Sequence, residues 1–287
     1  MLRLALRVRR ADAEIVLAEL LELAPGGVEE CDIDLDTVEY AVYGAPGELP
    51  ELPDLRAVAG EAFVELRTIE VADDWAERWR EFHRPLVLGD RLAVRPPWEP
   101  PQPTDVDLVI DPGRAFGTGA HATTRLCLEL LLDLPRPGPP GPLAAGPAAA
   151  PAAIDLGSGS GVLAIAAATL GWAPTLALDH DPLAVQATAR NAEINGVSER
   201  IEARRFDLTR ETVPPARLVL ANLLRPLLLA WAARMSGPAH EWIVASGLLV
   251  EDADPVIRAL APHGYQARET RTRGGWAALL LQGTPGG

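Results

Sequence analysis

The sequence predicts an α/β protein: a large, mostly parallel sheet preceded by a small α+β unit. Three observations carry this. From residue 104 to 287, short apolar runs of strand character alternate with helical stretches, the pattern of a doubly wound sheet. Residues 1–69 are instead dominated by alternating, half-buried strands. The chain has 287 residues, enough for two ordinary domains.

In the first unit LRLALRV alternates as a strand, and residues 11–24 space their apolar side chains near 3.6, predicting a helix. Two short strands are expected near 27–33 and 37–43, then a helical turn at LPDLRAV and a last strand at AFVELRTIEV. The order β-α-β-β-α-β is the ferredoxin-like arrangement. Within it acids and apolar residues alternate from Cys31 to Asp36. If extended, that stretch turns its apolar side chains to the core and lines a solvent face with Asp32, Asp34 and Asp36. Residues 70–103 read as a connector of helix and strands. Its segment DDWAERWREFH predicts a helix with Trp75, Trp79 and Phe82 on one packing face.

In residues 104–287 strands are expected at AAIDL, TLALD, RIEARRF, RLVLAN and EWIVAS, with helices at 161–171, 182–195, 225–235 and 250–262. YQARETR and GWAALLLQ, joined by an Arg-Gly-Gly turn, predict an antiparallel hairpin at one edge. The stretch 135–151 holds seven Pro, three Gly and five Ala. Such a composition cannot pack a core and is expected as a mobile surface loop.

Composition narrows the function. The net charge is −14, and every one of the 26 basic residues is Arg. An acidic chain disfavours nucleic acid or an anionic membrane as partner and suits a basic protein. The two cysteines, Cys31 and Cys127, make no disulfide framework, and the five histidines have no ligand spacing, so no metal is expected. The N-terminus lacks the apolar run of a signal peptide, and no segment approaches a membrane span. A cytoplasmic monomer is expected.

The chemistry-bearing motif is Asp155-Leu156-Gly157-Ser158-Gly159-Ser160-Gly161, on the turn from a buried strand into a helix. Its glycines permit a tight turn and close approach of a ligand to the helix start. Gly159-x-Gly161-x-x-Ala164 also satisfies the dinucleotide fingerprint. Asp155 separates the two readings: its carboxylate repels a pyrophosphate and attracts the ammonium of a methionine moiety. Asp179, 22 residues after Gly157, ends the next strand and can accept both ribose hydroxyls. Asp181 precedes Pro182 and suits a helix cap. Asp207 follows the third strand, where an acid can meet an adenine amino group. Asn222 and Leu223-Leu224 follow the fourth strand; the amide oxygen and a main-chain carbonyl there can accept from a substrate amine. The loop from Asp111 to Thr124 contributes Phe116 as a candidate cofactor contact. One of its threonines is expected to cap the following helix, and His121 to bond its own backbone.

These motifs together resemble the methyltransferases of large-subunit ribosomal protein L11, the PrmA family, within the class I S-adenosylmethionine-dependent methyltransferases. The resemblance runs from about residue 70 to 282 and more loosely through the first unit. It is carried by DDWAERWREFHRPLVLGDRLAVRPPWE, DPGRAFGTGAHATT, AAIDLGSGSGVLAIAA, ALDHDPLAVQATARNAEINGV, ANLL and ASGLL. It implies a Rossmann-like, seven-stranded, mostly parallel sheet with an antiparallel C-terminal hairpin. It further implies S-adenosylmethionine bound by Thr124, Gly157, Asp179 and Asn222, and a ferredoxin-like first domain that recognises the ribosomal protein. The acceptors would be lysine side chains and the terminal amine, and the product S-adenosylhomocysteine. The sequence departs from the family's usual pattern at Ala120 and Ala122 around His121, at Arg80, at Arg225-Pro226 and in the 135–151 insertion. The rival readings are a methyltransferase of another protein, a small amine or RNA, a nicotinamide-dependent dehydrogenase, and an adenosyl-binding module without catalysis.

Overall fold

The computed structural model describes residues 2–13, 16–17, 20, 28–34, 36–44, 49, 52–70, 84–111, 121–135, 151–237 and 239–284. The segment DDWAERWREFH up to residue 83, Phe116, and residues 136–150 of the insertion lie outside them. The chain divides into two compact units, residues 1–82 and 83–287.

In the first unit β1 (Leu2–Arg9), β2 (Glu29–Asp32), β3 (Thr37–Gly44) and β4 (Phe63–Glu70) form an antiparallel sheet in the order β2-β3-β1-β4. Alternation in β1 sends Leu4, Leu6 and Val8 to one face. There they pack with Val38, Tyr40, and Leu55 of α1 (Leu52–Ala59). Residues 13, 16, 17 and 20 are helical, and Ala13, Val16 and Leu20 join this core. The Tyr40 hydroxyl donates to the Ala13 carbonyl at 3.0 Å. On the opposite face Arg3 and Arg7 each reach Glu39 at 2.7 Å. Burial raises the Glu39 pKa, but the two guanidiniums outweigh it and hold the carboxyl below its usual value.

The acidic ribbon departs from its expected extended form. β2 stops at Asp32, and the amides of Ile33 and Asp34 both turn to the Thr37 carbonyl, at 3.2 and 3.3 Å. Asp34 accepts from the Asp36 amide at 2.9 Å. The turn between β2 and β3 breaks the two-residue period, so Ile33 is 40% exposed instead of joining the core.

The second unit opens with a three-stranded sheet of β5 (Leu86–Leu88), β6 (Leu92–Arg95) and β7 (Val106–Val109). Within residues 84–103, read from sequence as part of a connector, β5 pairs with β6 and β6 pairs with β7. The reason is burial: Leu92, Ala93 and Val94 are all buried, and Leu92 and Val94 pack into the core of this unit with Leu108 and Ile110.

The main sheet contains β8 (Ala153–Leu156), β9 (Thr175–Asp179), β10 (Ile201–Arg205), β11 (Ala216–Asn222), β12 (His240–Leu249), β13 (Tyr265–Arg273) and β14 (Trp276–Gly283). Their order is β10-β9-β8-β11-β12-β14-β13. The first five are mutually parallel, and β14 runs antiparallel to both β12 and β13. This is the seven-stranded, mostly parallel sheet with an antiparallel C-terminal hairpin at one edge that the resemblance implies. The helices are α2 (Ala122–Asp133), α3 (Val162–Thr169), α4 (Pro182–Ile194), α5 (Arg225–Ala232) and α6 (Ala253–Leu260). Central strands are buried on both faces, as continuous apolar runs require. Leu218 and Leu220 join the core that contains α2 and α3, while Val219 and Ala221 join the one containing α5 and α6. Among the described residues no helix is long and apolar enough to cross a membrane.

Candidate functional site

The strand order reverses at β8, which has β9 on one side and β11 on the other. The carboxyl ends of these three strands frame the crevice where doubly wound sheets bind ligands.

The turn after β8 depends on glycine: Gly157, Gly159 and Gly161 have φ of 72°, 54° and 83°. The Gly157 and Ser158 amides donate to the Leu178 carbonyl at 2.8 and 3.0 Å, and the Gly161 amide to Ser158 at 2.7 Å. Asp179 closes the turn from the next strand. Its Oδ2 accepts from the Gly159 amide at 2.9 Å and its Oδ1 from the Asp181 amide at 3.0 Å. A carboxylate offers about four lone-pair positions, so about two remain for a ligand. Asp181 caps α4 through the Leu183 amide at 2.8 Å, with Pro182 at the first helical position.

Asp155 lies beneath the turn, 1% exposed. Its Oδ2 accepts from the Ala164 amide at 3.0 Å, whereas Oδ1 is buried with no partner among the described residues. Burial pushes its pKa up to about 7; the Ala164 hydrogen bond opposes this and the charge of Asp179 adds to it.

Asn222 ends β11 opposite Ser246 of β12. Its Nδ2 donates to Thr124 Oγ1 at 3.3 Å, joining residues 98 positions apart, and its Oδ1 has no donor among the described residues. Thr124, 1% exposed, sits in the first turn of α2. The next residue is held by a β-bulge: the register of β12 on β14 shifts between Ala245 and Leu248. There the Leu223 amide donates to the Ser246 carbonyl at 3.0 Å, and the Ser246 hydroxyl donates to Ala277 O at 2.9 Å. Gly247 has φ of 82°, and a Cβ on it would collide with the Leu223 oxygen and stand 2.7 Å from its carbonyl carbon. Both are backbone atoms that cannot give way. The Leu223 side chain reaches the turn, where a Cβ on Gly157 would meet its Cδ2 at 2.5 Å.

His121 bonds its own loop as expected, but one cap differs from the expectation. The cap of α2 is His121 rather than a threonine, because the helix already begins at Ala122. His121 Nδ1 accepts from the Thr123 amide at 3.4 Å and faces Thr123 Oγ1 at 2.8 Å; burial lowers the imidazole pKa. Asp207, its side chain 42% exposed, bonds within its own loop. Its Oδ1 accepts from the Thr209 hydroxyl at 2.6 Å and amide at 2.9 Å, which holds the carboxyl below its usual value.

Sequence reasoning passed over Thr188, Asn191, Ser246 and Gly247. The first two were legible as a polar pair three residues apart in an alanine-rich helix. ASGLL contains the other two, but nothing in it announces a bulge. Among the described residues no group of His, Cys, Asp and Glu could hold a metal ion.

Comparison with known proteins identifies the family. The family described as ribosomal protein L11 methyltransferase (PrmA) matches residues 55–284. A ribosomal protein L11 methyltransferase of Pelotomaculum thermopropionicum is 40% identical over 223 residues, covering 76% of this chain and 68% of that one. One of Gloeobacter violaceus is 40% identical over 210 residues, covering 72% and 62%. The chain thus spans about two thirds of the length of these relatives. The crystal structure of ribosomal protein L11 methylase from Lactobacillus delbrueckii subsp. bulgaricus aligns with a TM-score of 0.57 at 25% identity, covering 71% of this chain and all of that one. The fold, the turn motif and the matched length together place the chain in the ribosomal protein L11 methyltransferase (PrmA) family.

Proposed function

We propose that the chain transfers methyl groups from S-adenosylmethionine to amino groups of ribosomal protein L11, at lysine side chains and the terminal amine, leaving S-adenosylhomocysteine. The observation that carries the reading is Asn222 at the switch point, its Nδ2 tied to Thr124 and its Oδ1 uncommitted among the described residues.

The residues fit the methyl donor. The buried, unpartnered Oδ1 of Asp155 beneath the turn suits a ligand ammonium, and Asp179 retains capacity for two ribose hydroxyls. When bound, S-adenosylmethionine supplies a methyl group already activated by its sulfonium, so positioning is the protein's main task. Asn222 Oδ1 and the Leu223 carbonyl are assigned to accept from the acceptor amine and aim its lone pair. Thr124 holds the Asn222 amide in that orientation. The acceptor must first be neutral: at pH 7 this costs about 4.6 kcal/mol for a lysine of pKa 10.4 and about 1.4 kcal/mol for a terminal amine near 8. No residue is assigned as general base. The first unit is assigned to recognition of the protein substrate.

Calorimetry with S-adenosylmethionine and NADH, followed by methyl transfer to purified L11 with mass readout, tests the reading. Asp179→Ala should weaken S-adenosylmethionine binding at least tenfold, because each hydrogen bond to a charged acceptor contributes about 1.5–3 kcal/mol. Binding of NADH in place of S-adenosylmethionine, or no transfer to L11, would overturn it.

A further inference from the structure

The face of α4 toward the turn is polar where a packed helix is ordinarily apolar. Thr188, Asn191 and Asn195 follow one another at i, i+3 and i+7, hence on one side of the helix. Thr188 is 0% and Asn191 1% exposed. Buried polar groups are tolerated when their hydrogen bonds are made, and these are.

Thr188 Oγ1 donates to the Gly159 carbonyl at 3.2 Å and lies 3.1 Å from Ser158 Oγ. Asn191 Nδ2 donates to the Ser160 carbonyl at 2.8 Å and to the Asp111 carbonyl at 3.1 Å, while its Oδ1 accepts from the Asp111 amide at 2.9 Å. Asn195 repeats the amide pairing one turn on. Its Oδ1 accepts from Val109 N at 2.9 Å, and its Nδ2 donates to Val109 O at 2.7 Å. Asn195 therefore clamps β7 without touching the turn. Thr188 and Asn191 hold two successive carbonyls of the turn, and Asn191 ties the second of them to Asp111, the first residue of the segment that leads to Thr124.

We propose that Thr188 and Asn191 are positioning residues for the cofactor turn. The claim rests on the assignment of that turn to S-adenosylmethionine. The physical reason lies in the glycines. Gly159 and Gly161 flank Ser160 and lack the Cβ that would restrict rotation of the peptide planes between them. The turn therefore holds its shape through hydrogen bonds. Gly159 N is held by Asp179 from the front, and the Gly159 and Ser160 carbonyls are held by α4 from behind. A turn fixed in advance spares the ligand the ordering that binding would otherwise impose.

The experiment uses the full chain, titrating S-adenosylmethionine and S-adenosylhomocysteine by calorimetry alongside thermal melting. Asn191→Ala should weaken both ligands about tenfold. Thr188→Val, which keeps the shape and removes only the hydroxyl, should weaken them threefold or more. Asn195→Ala removes a comparable number of hydrogen bonds, part-buried ones, and should lower Tm, yet leave affinity within twofold. Equal losses in the Asn191 and Asn195 variants would reduce the stripe to a structural role and overturn the proposal. Affinity unchanged in Thr188→Val would do the same, and that variant decides the matter if Asn191→Ala does not fold. If the parent itself binds neither ligand, the cofactor assignment fails, an outcome distinct from a binding parent with equally tight variants.

Discussion

Asp155→Asn should separate stability from function in opposite directions. In the folded chain burial holds the Asp155 pKa at about 7. In the unfolded chain an aspartate titrates near 3.9. The folded value is the higher one, so this group's contribution to stability is complete below about pH 4 and is lost as pH rises through about 7. The difference of about three pH units, at 1.36 kcal/mol each, corresponds to about 4 kcal/mol. The asparagine carries no charge and keeps an oxygen for the Ala164 amide, but it buries an unpaired NH2 at a cost of about 1–3 kcal/mol. Relative to the parent, the variant should be about 1–3 kcal/mol more stable at pH 8 and about 1–3 kcal/mol less stable at pH 4. S-adenosylmethionine affinity at pH 8 should fall at least tenfold, because the charge assigned to the ligand ammonium is gone. Urea unfolding of both proteins at pH 4, 6 and 8 without ligand, with calorimetry at pH 8, reads both effects. A stability difference that stays constant across pH would refute the reasoning about the buried carboxyl. Full affinity would refute its role toward the ammonium.

Other outcomes follow from the same geometry. His240, 2% exposed, has its pKa lowered to about 4 by burial, opposed by its bond to the Ala216 amide. Its folded value lies below the unfolded 6.5, so its stabilisation is present above about pH 6.5 and lost as pH falls through 4. It is worth about 3 kcal/mol, and urea unfolding of His240→Asn should show a correspondingly flatter acid limb. Gly247→Ala should lower kcat for methyl transfer at least tenfold, with S-adenosylmethionine affinity changed less than threefold, since a Cβ there displaces the Leu223 carbonyl. An equal loss in affinity would place Gly247 in the cofactor site instead. Changing Asp32, Asp34 and Asp36 together to Asn should lower kcat/KM for L11 more at low salt than at high, with kcat preserved. Superimposable salt curves for variant and parent would remove these acids from substrate capture.

The sequence by itself determined what depends on neighbours along the chain. Alternation in LRLALRV, continuous apolar runs at AAIDL and RLVLAN, and Pro182 after Asp181 are local signals of strand, buried strand and capped helix. The glycine turn was legible because glycine adopts φ of 72° and 83°, as at Gly157 and Gly161, without a Cβ penalty. Local alternation misled at Ile33, where a turn between paired strands overrides it. Tertiary structure decided whatever depends on distant partners. Thr124 meets Asn222 only because α2 packs against β11 and β12. β5 and β6 join the second unit only because β7 offers an edge to β6 and the unit offers both a core. Gly247 and Asn191 acquire their places from backbone atoms 24 and 80 residues away, at Leu223 and Asp111. Hydrogen bonds and close approaches of that range are set by packing between elements, and no periodicity in the chain records them.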